Sequence, residues 1–117
     1  MTQNETAYFR CTANWNNNNG ILWVTSNGLK WEGFQLKTSF PWSEIGGHEY
    51  SPDTHSKVLI RVKDKTNREL ARFELATGNR ESDLRRKEEL KLAINENKDG
   101  QVIAKYASSS YTITNMH

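Results

Sequence analysis

The chain has 117 residues, a length that accommodates one domain with a single hydrophobic core. Its formal net charge of +2 is too small to indicate binding of nucleic acid or of an anionic membrane without a local cluster of charge. Cys11 is the single cysteine, which excludes an internal disulfide, and no apolar run is long enough to span a membrane. With no signal peptide in the sequence, these features predict an intracellular protein in a reducing compartment.

The N-terminal third of the chain predicts strands separated by turn residues. Residues 6–13 alternate with a period of two and place four apolar side chains on one side: Ala7, Phe9, Cys11 and Ala13. The Asn-rich residues 14–20 predict a loop, because asparagine tolerates positive φ. Residues 21–24 and 29–32 then predict two strands that are joined by a two-residue turn at Asn27-Gly28.

The middle of the chain predicts four further strands. Residues 34–40 alternate apolar and polar side chains up to Pro41, which ends the strand because proline cannot donate to a ladder. A turn at residues 42–45 leads to a short strand within residues 46–51, and residues 52–56 form a loop. The strongest alternation lies at residues 57–63, and residues 70–75 predict the last of seven strands.

After Gly78 the composition changes to charged helix formers. We predict a helix from Asn79 to about Asn97, with Asn79 or Ser82 as its N-cap, a core-facing stripe that includes Leu90 and Ile94, and an ion pair between Asp83 and Lys87. Seven strands followed by one helix predict a mainly β fold, a pleckstrin-homology-like sandwich or barrel that the helix caps. The domain comprises residues 1–98, and residues 99–117 form a flexible tail or linker.

One predicted strand has two contrasting faces. Val58, Ile60 and Val62 are apolar and belong in the core, so the alternate side chains face outward. These outward residues make a basic stripe with one leucine in its middle: Lys57, Leu59, Arg61 and Lys63. A basic rim around an apolar position suits an acidic peptide with a hydrophobic anchor, although the same charges also serve an exposed strand that only needs solubility.

Three segments resemble a known family. The run G-I-L-W-V-T-S-N-G-L-K-W at residues 20–31, the Ser51-Pro52 turn followed by the Lys-bearing strand up to Val62, and Arg72-Phe-Glu-Leu75 before the helix are similar to the pleckstrin-homology domain of the TFIIH core subunit, which acts in transcription and nucleotide-excision repair. The resemblance covers residues 8–97. It departs from the family at the uncharged Asn16–Asn19 loop, where members often have Lys, and at Glu49, where members tend to have an uncharged polar residue.

The resemblance implies a nuclear docking module with no enzymatic activity and no cofactor. Its partners would be acidic, partly disordered segments of activation domains, of TFIIE and of XPG-like repair proteins, together with other TFIIH subunits, and it would not bind nucleic acid directly. Carried over by position, the candidate binding surface consists of Glu49, Ser51, Pro52, Lys57, Leu59, Arg61 and Arg72.

The residues also bear on two other classes of function. Phosphoinositide binding, as in many pleckstrin-homology domains and the related GLUE and GRAM modules, needs Lys and Arg around the first hairpin loop, and residues 14–20 carry none. Membrane lipid is therefore disfavoured as a partner. His48, Glu49 and His55 lie within eight residues of each other but lack a second cluster to complete a metal site, and no nucleophile–base pair or phosphate loop indicates an enzyme.

Overall fold

The computed structural model describes residues 5–98, and the predicted tail at residues 99–117 lies outside that range. The described part contains seven strands, one turn of 3-10 helix at Trp42–Glu44 and one α-helix. The strands are β1 (Ala7–Trp15), β2 (Asn18–Thr25), β3 (Gly28–Gly33), β4 (Lys37–Pro41), β5 (Gly47–Tyr50), β6 (Val58–Lys63) and β7 (Glu69–Leu75), and the helix is α1 (Arg80–Lys98).

All seven strands belong to one antiparallel sheet with the order β4-β3-β2-β1-β7-β6-β5. Strand β1 joins its two halves, because it pairs with β2 along its length but with β7 only at Ala13 and Asn14. The predicted mainly β architecture of seven strands and one C-terminal helix is confirmed, and the order of elements is that of a pleckstrin-homology-like sandwich.

The sheet folds over so that its two halves share a core. Phe40 on β4 and Phe73 on β7 are separated by three strands in the sheet order, yet their ring centroids lie 6.4 Å apart. Trp15, at the end of β1, contacts both rings, at 5.9 Å and 5.7 Å between centroids. Helix α1 closes the core with Leu90 and Ile94, both fully buried, as the helical periodicity predicted.

Trp31 fills the centre of the β1–β4 half. Its indole N–H donates to the carbonyl of Ala13 at 3.1 Å, so the polar atom of this fully buried ring has a partner. Gly20 and Gly33 flank the ring closely, and a Cβ at either position would overlap it. The two glycines therefore let the β2 and β3 backbones approach a large aromatic side chain.

Two predicted segments differ from the structure. Residues 34–36 are not part of a strand, because Gly33 donates to the Leu36 carbonyl and closes a turn between β3 and β4. Phe34 in that turn is 93% exposed. The predicted loop at residues 14–20 is instead a tight hairpin, in which Trp15 pairs with Asn18 and two residues, Asn16 and Asn17, make the turn.

The other hairpin of this half also has a different turn. The last pair of the ladder is Val24 with Leu29, and the residues between the two strands are Ser26 and Asn27 rather than Asn27 and Gly28. The Thr25 hydroxyl oxygen accepts the N–H groups of Asn27 at 3.1 Å and Gly28 at 3.2 Å, and this side-chain bonding replaces the predicted Asn-Gly turn. The helix begins at Arg80, and the Asn79 side chain accepts the Ser82 N–H at 2.9 Å, which makes Asn79 the N-cap.

Candidate functional site

The seven predicted surface residues lie on or beside the outer face of the β5–β6–β7 half of the sheet. β5 carries Glu49, and Ser51 and Pro52 open the loop to β6. Lys57 directly precedes β6, while Leu59 and Arg61 point outward from it. Arg72 lies on β7, and the strand register places it opposite Arg61.

A network of ion pairs covers much of this face. The Glu49 carboxylate accepts hydrogen bonds from Arg61 at 3.1 Å and from Lys63 at 2.9 Å. Glu69 accepts from Arg61 Nε at 3.0 Å and from Arg72 at 2.9 Å. Two carboxylates therefore bridge three cations, and the stripe that looks basic in the sequence is largely compensated in the fold.

The pKa values of both bridging carboxyl groups respond to these contacts. The hydrogen bond from Lys63, reinforced by the charges of Lys63 and Arg61, holds the pKa of Glu49 below its ordinary value. Hydrogen bonds from Arg72 and then Arg61 do the same for Glu69. Both groups are exposed to solvent, so the network orients the side chains more than it stabilises the fold.

A groove of about 470 Å³ lies between this face and the β1–β2 hairpin. The structure brings three of the predicted residues together in it: Lys57, Leu59 and Arg72. Leu59 is half-buried, and no carboxylate within residues 5–98 forms an ion pair with Lys57. The groove is completed by residues that the sequence did not suggest, namely Asn14, Asn16, Asn17, Glu69, Phe73 and Glu74.

Ser51 and Pro52 do not line this groove. The Ser51 hydroxyl accepts the Leu59 N–H at 2.9 Å and donates to the Lys57 carbonyl at 2.9 Å. The Pro52 carbonyl accepts the His55 N–H at 2.9 Å. In the structure these two residues shape the β5–β6 loop and thereby set the position of Lys57.

Helix α1 holds the same loop from the other side, and we name residues 53–56 with Arg80 and Lys87 the loop clamp. Arg80 donates to the carbonyls of Asp53, His55 and Ser56. Lys87, whose side chain is 4% exposed, donates to the Ser51 carbonyl at 3.1 Å and pairs with the Asp53 carboxylate. The hydrogen bond from Lys87 lowers the pKa of Asp53.

The predicted ion pair between Asp83 and Lys87 is wrong, because Lys87 belongs to the loop clamp and pairs with Asp53. Asp83 instead accepts from the hydroxyl of Thr77 at 2.7 Å and from its N–H at 2.9 Å. The i,i+4 spacing indicated a local pair, but Lys87 faces the sheet, where the loop supplies a carbonyl and a carboxylate. The local sequence pattern around Lys87 could not indicate its actual partner Asp53, which lies more than thirty residues away in the chain.

The tip of the first hairpin has no charged residue. Asn16 and Asn17 both have positive φ, 52° and 66°, which is the conformation of a two-residue hairpin turn and one that asparagine tolerates. The turn lies beside the groove rather than forming a cationic rim. Its composition offers no ammonium or guanidinium group to a lipid phosphate.

The two histidines of the His48–Glu49–His55 segment contact groups other than a metal ligand set. His48 Nε2 lies 2.9 Å from the Asn95 side-chain oxygen and its Nδ1 contacts the Tyr50 hydroxyl, whereas His55 contacts the Lys57 backbone. No group of three potential metal ligands occurs among residues 5–98.

Burial raises the pKa of Cys11 to about 12, so this thiol stays protonated at neutral pH. Within residues 5–98, no helix combines the length and the apolar composition needed to cross a membrane.

Comparison with known proteins bears on the fold alone. No family model matches the chain, and no curated protein matches it significantly. Among solved structures, the crystal structure of the C-terminal domain of an unknown protein from Leishmania infantum is similar, with a TM-score of 0.59 and 18% sequence identity. The match covers 80% of this chain and 84% of that one. At this level of identity the likeness supports a shared fold alone.

Proposed function

We propose that the chain is a docking module of a TFIIH-like complex in the nucleus, and that it binds acidic, partly disordered protein segments. The observation that carries the proposal is the groove in which Leu59 lies between Lys57 and Arg72. The partners implied by the sequence resemblance, segments of activation domains, of TFIIE and of XPG-like repair proteins, have the matching chemistry.

The groove suits such a segment in two respects. The half-buried Leu59 offers an apolar contact for an aromatic or aliphatic anchor, whose burial contributes most of the affinity. Lys57, which forms no ion pair within residues 5–98, and Arg72, which pairs only with Glu69 there, attract carboxylates that flank that anchor. Because a disordered partner must order on binding, we expect moderate affinity that decreases with added salt.

Titration of ¹⁵N-labelled protein with a synthetic peptide rich in Asp and Glu and carrying one Phe tests this proposal. We expect chemical-shift changes at Lys57, Leu59 and Arg72 and at the facing Asn16 and Asn17. The substitution Lys57→Glu is expected to weaken binding about tenfold, because it places a like charge beside the ligand's carboxylates.

Lys37→Glu is the matched control, because Lys37 is exposed on β4 and outside the groove and its substitution makes the same change in net charge. Equal loss of affinity in both variants would show bulk attraction instead of a site and would overturn the proposal. Vesicles that contain a phosphoinositide serve as the competing probe. Saturable vesicle binding, with no response to the peptide, would assign the chain to the phosphoinositide alternative.

A further inference from the structure

One of the two edges of strand β1 is paired with another strand over only part of its length. β2 pairs with one side of β1 from Ala7 to Trp15, but β7 pairs with the other side only at Ala13 and Asn14. β7 ends at Leu75, and the chain turns away through Gly78, with φ of +92°, into the helix. Within residues 5–98, no strand therefore pairs with the second edge of β1 over residues 7–12.

This edge forms one wall of a groove, and helix α1 forms the other. Two cavities of about 250 Å³ and 350 Å³ lie along it, both open to solvent. Each is lined by three or more consecutive residues of β1, and the two are neighbours, because Arg10 and Arg86 line both. Six residues of extended strand span about 20 Å, which is the length of a short bound peptide.

The charges along the groove favour an anionic ligand. Its charged lining residues are Arg10, Arg86 and Glu89, and Arg86 pairs with Glu89. Arg10 forms no ion pair with any carboxylate in the described range, and its guanidinium lies 5.5 Å from the centroid of the Trp23 ring. The uncharged polar residues Thr12, Thr77 and Ser82 also line it.

Trp23 provides a separate indication of an incomplete site. Its indole N–H is buried in the wall of the same groove and has no hydrogen-bond acceptor among residues 5–98. A buried donor without a partner is costly, in contrast to Trp31, whose N–H is bonded.

We propose that an acidic peptide in extended conformation adds as a strand to the free edge of β1, in the groove against α1. Its backbone would pair with the unused N–H and C=O groups of residues 7–12, and its carboxylates would face Arg10 and Arg86. This second surface is separate from the groove at Leu59 and does not depend on the function proposed above.

A ten-residue peptide of alternating Val and Glu is the probe, together with the same peptide N-methylated at alternate residues. We expect hydrogen exchange of alternate amides in residues 8–12 to slow on binding, and the Trp23 indole resonance to shift. The methylated peptide should not bind, because it lacks the N–H groups that pair with β1. Arg10→Glu should weaken binding about tenfold, whereas Lys37→Glu should leave it within about twofold.

Equal binding of the two peptides, or unchanged exchange in residues 8–12, would overturn the proposal. Self-association with protection of these amides in the absence of peptide would assign the edge to a second copy of the chain and would also overturn it. Lys57→Glu separates the two surfaces. If the Lys57→Glu variant still binds the peptide, the result supports the β1 surface. If the variant no longer binds the peptide, the peptide occupies the Leu59 groove and the β1 proposal is wrong.

Discussion

The inner and outer faces of β6 differ in what they contact and in how firmly they are held. On the inner face, Val58, Ile60 and Val62 are at most 4% exposed and pack in the shared core. On the outer face, Arg61 is 42% exposed at its side chain and pairs with exposed carboxylates. One strand therefore contributes to stability from one side and presents the proposed binding surface from the other, so that single substitutions can separate the two properties.

The largest expected effect is on the inner face. Ile60→Ala removes a fully buried side chain and leaves a cavity, so we expect the free energy of unfolding to fall by about 2–5 kcal/mol. Leu59→Ala, one residue away on the outer face, should cost less than about 1.5 kcal/mol, because that side chain is only half-buried. Urea unfolding monitored by tryptophan fluorescence measures both values, and equal losses would show that the two faces are not distinct.

An intermediate effect is expected when the outer network is opened. Glu69→Gln removes the carboxylate that engages Arg61 and Arg72. Arg61 keeps its ion pair with Glu49, so the substitution makes the Arg72 guanidinium available to a ligand. We expect the affinity for the acidic peptide to rise about two- to fivefold, with a change in stability below about 1 kcal/mol.

Glu81→Gln is the control for this prediction, because Glu81 is exposed on α1 and outside the groove. It makes the same change in net charge without freeing a groove cation. An unchanged affinity in Glu69→Gln would indicate that the ion pairs do not compete with the ligand. The proposed surface would then have to depend on Lys57 and Leu59 alone.

The smallest effect concerns acid stability. The pKa values of Glu49 and Glu69 are lower in the folded state, so the folded protein binds fewer protons than the unfolded chain near pH 4. Their contribution is present at neutral pH and decreases as the pH falls below about 4.5 and through the folded-state pKa values. We expect the melting temperature to fall over that window, and less steeply in a Glu49→Gln, Glu69→Gln double variant. Parallel curves for the two proteins would contradict the role of the network.

The elements of the fold that have one dominant local cause could be predicted from the sequence. The β6 strand follows from the alternation through Val58, Ile60 and Val62, and the helix follows from a long run without Gly or Pro after Gly78. Residues 34–36 were wrongly predicted as part of a strand, because their alternation of apolar and polar side chains continues in phase up to Phe40. The antiparallel pairing of Trp31 with Thr38 requires a reversal of the chain between them, and that pairing is a property of the sheet.

The candidate surface was only partly predictable for a similar reason. The alternation placed Lys57, Leu59 and Arg61 on one face, and the structure has Leu59 and Arg61 projecting outward from β6. Their neighbours were not visible in the sequence, because Glu69 reaches Arg61 from β7 and Asn16 faces Lys57 across the groove. Such contacts depend on the order and register of the strands, which no local pattern encodes.

The loop clamp has a consequence for how the protein opens. Arg80 and Lys87 fasten residues 53–56 to the first two turns of α1, so the loop before β6 and the N-terminal half of the helix form one cooperative unit for local unfolding. Loss of the helix would release the loop and, with it, the position of Lys57. Conversely, a ligand held by Lys57 would slow amide exchange in the helix, at a distance from any residue it touches, because binding lowers the population of the locally unfolded state.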